Sequence, residues 1–117
     1  MLSTFAKNIA PHVEAELEKS IKAPTRLSAF RHLERAHILG QESTYWHVRA
    51  HWRMLVWGIA HRDAREVLGQ LIRLVGAALL TDMKGVPQGN TGGSRVSMFR
   101  KMPIPVELAK IINQAKQ

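Results

Sequence analysis

The sequence predicts an all-α protein. It is expected to form two helical hairpins, tetratricopeptide-like or an antiparallel four-helix arrangement, then an ordered Gly/Pro-rich loop and a short C-terminal helix. Three observations predict this. Apolar residues recur at helical spacing along residues 1–83. Cap residues and Pro or Gly breaks cut that stretch into four. A weak repeat of period 35 pairs His12 with His47, Ala29 with Ala64 and Leu33 with Leu68. Tetratricopeptide units repeat at about 34 residues, but their Trp, Leu-Gly and Tyr signature is missing here. The 117 residues read as one helical domain, 1–117.

The first helix is expected over 8–22. Pro11 suits a first turn better than an interior, which favours Asn8 as the N-cap. Pro24 breaks the chain, and Thr25 caps a second helix over 26–39, with Gly40 just past its end. Ala29, Phe30, Leu33 and Ala36 make its core face; His37 lies on the same arc and Glu34 borders it. Ser43 or Thr44 caps a third helix over 44–60 that is apolar nearly all round, as central helices are. Trp52 lies in one of its apolar arcs, Trp46 in another, and His47, His51, Met54 and Gly58 share one line.

His61-Arg62-Asp63 reads as a turn whose Asp63 caps a fourth helix over 63–82. Its apolar half, centred on Leu68, Leu71, Ile72, Val75 and Leu79, is expected to face the core, and Arg65, Glu66, Gln70 and Arg73 the solvent. Leu68 and Trp52 should then be buried. Gly69 and Gly76 align on the outer face. Each costs about 1 kcal/mol against Ala in a helix interior, so either they are tolerated or the final loop comes close. That loop, 84–104, is expected to be ordered, anchored by Val86, Met98, Phe99, Met102 and Ile104 and stiffened by Pro87, Pro103 and Pro105. The last helix is expected over 105–116.

Composition narrows the function classes. Lys+Arg 17 against Asp+Glu 9 gives a formal charge of +8, and 45% of residues are hydrophobic. The absence of Cys excludes disulfide scaffolds, thiolate zinc sites, Fe–S clusters and a catalytic thiol. No apolar run reaches the roughly 20 residues of a membrane span, and charge interrupts the N-terminal stretch before a secretory h-region could form. A cytoplasmic protein without membrane contact is expected. Basic residues are spread over every helix rather than gathered on one face, which points to another protein or an acidic partner ahead of nucleic acid.

No catalytic motif is present, so a non-enzyme is expected. The Gly-rich loop lacks the Lys of a phosphate-binding P-loop. Backbone amides of Asn90, Thr91, Gly92 and Gly93 beside Arg95 could still form a small anion nest; the alternative is an irregular structural loop. The histidines carry more. His47 and His51 stand i,i+4, the spacing at which two imidazoles share a metal ion, and Glu34 and His37 stand i,i+3 on the preceding helix. These four could hold zinc, nickel or copper. The competing reading is a set of structural, hydrogen-bonded core-edge histidines.

HLERAHILGQ (32–41), HVRAHW (47–52), HRDAREVLGQ (61–70), GNTGG (89–93) and MPIP (102–105) resemble, in order, a small bacterial family known only as domain of unknown function 3703. The resemblance covers nearly the whole chain. It implies no defined activity or fold; what it implies is a connection with heavy-metal handling. Where its members commonly turn on Gly-Asp, this chain has the shorter Ala23-Pro24-Thr25. Three functions are therefore expected in order: a non-catalytic binding or adaptor protein working through a groove between the hairpins, a cytosolic transition-metal-binding protein, and a nucleic-acid accessory protein.

Overall fold

The computed structural model describes residues 2–81 and 88–117. Among the described residues five helices form: α1 (Thr4–Lys22), α2 (Arg26–Gly40), α3 (Thr44–Ala60), α4 (Ala64–Leu80) and α5 (Val106–Ala115). No strand occurs among the described residues. α1 pairs with α2 and α3 with α4 as two hairpins, α2 packs on α3, and α5 lies across α1 and α2.

The caps explain most boundaries. The Thr25 and Ser28 side chains each accept the other's backbone N–H, a reciprocal capping box that starts α2. Ser43 and Asp63 cap α3 and α4 by accepting from Trp46 N and Glu66 N. The turn between α3 and α4 is a Schellman motif: Asp63 N bonds Gly58 O, Arg62 N bonds Ile59 O, and Arg62 takes the left-handed conformation at φ 54°.

α1 corrects the expected start at residue 8. Ser3 is the N-cap, and Pro11 lies inside the helix on its exposed side. The added turn buries Ala6 and packs Phe5 on the core, and the Ala6 carbonyl accepts the Trp46 indole N–H at 2.9 Å. Burying two apolar side chains and filling that bond outweighs the one amide hydrogen bond that Pro11 cannot make. Gly40 closes α2 from inside rather than following it, and a Cβ there would lie 2.6 Å from Trp46 Cβ. α4 ends at Leu80, and the expected continuation to residue 82 falls outside the described residues.

The core lies between α1, α2, α3 and α5, around Ile9, Val13, Leu39, Met54 and Leu108. α4 contributes little to it. Its orientation is the reverse of the expected one: Glu66, Gln70 and Ala77 face inward, while Leu68 is 65% and Val75 60% exposed. Trp52 is likewise 54% exposed, so neither it nor Leu68 is a core residue. The physical reason is hydrogen bonding. The polar stripe of α4 is spent inside, on a buried histidine cluster and on the loop.

The loop is held where it meets that stripe. Ser94 packs against Gly69, where no Cβ would fit, and Met98 reaches Gly76. Gly69 thus admits a close approach, whereas the Met98 contact at Gly76 would tolerate a Cβ. Met98, Met102 and Ile104 are half-buried, but Phe99, an expected anchor, is 74% exposed. Val86 and Pro87 lie outside the described residues.

Candidate metal centre

His37 comes from the last turn of α2, His47 and His51 from successive turns of α3. All three are buried. Their Nε2 atoms form a near-equilateral triangle: 3.0 Å from His37 to His47, 3.1 Å from His37 to His51 and 3.1 Å from His47 to His51.

The outer nitrogens decide the tautomers. His37 Nδ1 meets the Asn90 carbonyl oxygen at 2.8 Å. A carbonyl only accepts, so Nδ1 carries the proton. His51 Nδ1 meets Gln70 Oε1 at 2.6 Å, and Gln70 is fixed in that sense because its Nε2 donates to Glu66 Oε2 and to Gly92 O. His47 Nδ1 meets Thr81 Oγ1 at 2.8 Å; the Thr81 hydroxyl donates to Ala77 O, leaving its oxygen to accept. Each ring is therefore an Nδ1–H imidazole with an unprotonated Nε2. Three lone pairs face one another with no hydrogen between them.

Protonation does not relieve this at neutral pH. Burial, and then the neighbouring imidazoles, push His37 well below its usual value and His47 down to about 3. Burial pushes His51 down to about 4 against the Gln70 hydrogen bond, with the Arg73 charge adding to the shift. Three converging, unprotonated nitrogens could hold a divalent cation instead. Tetrahedral nitrogens bound to zinc at 2.0–2.1 Å lie about 3.3–3.4 Å apart, so the triangle opens by only about 0.3 Å to take an ion.

A cavity of about 40 Å³ adjoins the triangle, room for about one to three waters or a small anion. Arg73, Leu80, Met98 and Phe99 line it with the histidines. Arg73 donates to Gly69 O and Val96 O, and its buried Nε has no partner among the described residues. Three nitrogens with a cavity beside them could hold an ion with its fourth position left for water or another ligand, unlike a closed structural site.

Of the four residues expected as ligands, the structure brings together His37, His47 and His51. Glu34 is not among them. Its carboxylate is hydrogen-bonded to Thr91 and lies near Arg31 and Glu66; burial, reinforced by Glu66, raises its pKa. α2 turns the i,i+3 pair apart, His37 into the triangle and Glu34 toward the loop.

The expected anion nest is also corrected. Gly92 N donates to Asn90 Oδ1, and the amide and hydroxyl of Ser94 donate to the Glu66 carboxylate. The anion at this loop is the protein's own. Thr91 holds Glu34, and Arg95 lies 3.8 Å from Asp63. Gly93 packs under Phe30. Gly92, at φ +88°, is required by space as well: a Cβ there would sit 2.5 Å from His37 Cδ2.

Gln70, Thr81 and Arg73 belong to the site and were not expected there. The available signal was the spacing Glu66, Gln70, Arg73, Ala77, an inward stripe once the histidines are known to need acceptors. A second cavity, of about 220 Å³, lies where α2, Trp57, the start of α4 and the loop meet, lined by Arg26, Phe30, Trp57 and Arg95 among others.

Fold and site together define a small all-α protein carrying a buried three-histidine cluster. The chain belongs to the family described as "Protein of unknown function (DUF3703)", whose model matches residues 7–112. No protein of curated function and no solved structure matches it. No helix among the described residues is long and apolar enough to cross a membrane.

Proposed function

We propose that this is a non-catalytic transition-metal-binding protein that holds one divalent ion through Nε2 of His37, His47 and His51. One observation carries the reading: three unprotonated Nε2 lone pairs converge within 3.0–3.1 Å of one another, each fixed by a hydrogen bond at Nδ1. Such outer partners orient imidazole ligands and raise their basicity. Zinc suits three nitrogens and an open position, and nickel or copper could use the same set. None of the described residues that line the cavity is a carboxylate; holding an ion needs none there, whereas acid–base catalysis would.

The adaptor reading places its partner in the groove between the hairpins. The cavity nearest to it, about 220 Å³, is below the roughly 300–1,000 Å³ of ordinary ligand pockets, and no observation favours that reading over the histidine triangle.

The test is calorimetric titration of untagged, chelator-stripped protein with Zn²⁺, Ni²⁺ and Cu²⁺. One ion per chain is expected for at least one metal, with uptake lost in His37→Ala, His47→Ala and His51→Ala. No uptake of any of the three would leave the triangle a structural hydrogen-bond cluster.

A further inference from the structure

The outer face of the α3–α4 hairpin has no partner. On α4, Leu68, Leu71, Ile72, Val75 and Leu79 stand at i, i+3, i+4, i+7 and i+11, and all are exposed. At 100° per residue they fall within roughly a 100° arc, the stripe of a helix that packs on another helix. The only helix α4 touches, among the described residues, is α3. That contact runs along the other side of α4, where Val67 seats on Gly58 and Gln70 meets His51.

The same two contacts orient α3. Continuing around α3 past Gly58 and His51 leads to Ile59 and Trp52, which are 61% and 54% exposed, and then to Val56. The two stripes therefore border the hairpin seam on its outer side and form one apolar surface. Weighted by their exposures, these eight residues present on the order of 800 Å². A stable interface needs about 800 Å² from each partner. Monomeric proteins rarely leave a contiguous apolar patch above a few hundred Å².

We infer that this face is the interface of a two-fold homodimer, with the α3–α4 hairpins of two copies packed face to face as four helices. The charge pattern supports a second copy and sets its direction. Arg62 and Arg65 lie exposed at the start of α4, whereas residues 74–81 carry no charge at all. An antiparallel pairing of α4 with its copy places each basic start on the uncharged, dipole-negative end of the other. A parallel pairing would oppose the arginines. The face is independent of the metal reading, since the histidine cluster lies on the opposite side of α4.

Sedimentation of the untagged protein tests the inference. A species of twice 13.2 kDa is expected by about 100 μM. It should strengthen as salt rises from about 50 to about 300 mM, because screening relieves repulsion between +8 chains. Ile72→Glu with Val75→Glu should sediment as a helical monomer, at least about 100-fold weaker in association. Ile21→Glu, at an exposed position of α1, should remain dimeric. Leu68→Lys replaces the double variant if that chain does not fold. A wild-type monomer at about 100 μM overturns the inference, as does a double variant that still dimerises. A wild-type monomer that binds phosphatidylglycerol vesicles instead assigns the face to a membrane surface.

Discussion

Acid should unfold the metal-free protein well above the pH at which its carboxylates are exhausted. In the unfolded chain the three imidazoles titrate near 6.5. In the fold His47 resists protonation down to about 3, His51 down to about 4, and His37 lies well below its usual value. Between those limits the unfolded state binds more protons than the folded one, so stability falls as pH falls. At about pH 4.5, two units below the unfolded value, keeping His47 and His51 neutral costs about 3 kcal/mol each, and His37 adds to this in the same direction. Whole domains of this size are stable by about 5–15 kcal/mol. Urea midpoints followed by circular dichroism should therefore drop steeply below about pH 6, approaching 4 kcal/mol per unit when all three contribute. Spontaneous unfolding is expected between about pH 5 and 4. Saturating Zn²⁺ should move that midpoint to lower pH, because the ion binds only the folded triangle. A urea midpoint that stays flat from about pH 7 to about 5 would refute the reasoning: the rings would then be accessible to solvent, or one would already be protonated.

Gln70→Leu keeps the volume but removes the acceptor for His51 Nδ1 and the donor to Glu66; metal affinity should fall about 10–100-fold by calorimetry. Gly92→Ala combines positive φ with overlap on the His37 ring and should cost more than about 2 kcal/mol in chemical denaturation. Arg62→Gly relieves the left-handed turn residue and should stabilise by up to about 1 kcal/mol. Leu39→Ala, deep in the core, should cost about 2–5 kcal/mol, whereas Ile21→Ala on the exposed side of α1 should stay within about 0.5 kcal/mol.

What the sequence revealed follows from how local each determinant is. α2 and α3 begin where Thr25 and Ser43 cap them, and a cap is read within four residues. His47 and His51 share a helix face by spacing alone, and His37 comes inward with Leu33 and Ala36. α1 was harder, because the reason to tolerate Pro11 is the burial of Ala6 against α3, forty residues away. α4 is turned opposite to its apolar pattern for a similar reason. Periodicity shows that a helix has two faces, and hydrophobicity alone assigns the apolar one to the core. Here Gln70 and Thr81 are needed inside as acceptors for imidazole N–H groups, so the polar face turned in and the apolar face was left for another surface. Glu34 failed as a ligand because a side chain three residues away on a helix diverges by about 60°, enough to reach Thr91 instead of the triangle.

Nitrogen-15 spectroscopy of the imidazoles tests the central claim atom by atom. In metal-free protein at neutral pH, His37, His47 and His51 should each show a protonated Nδ1 and an unprotonated Nε2. One equivalent of Zn²⁺ should shift all three Nε2 signals together and leave the Nδ1 protons in place. A protonated Nε2 in any of the three rings, or a zinc response from fewer than three, would contradict the account.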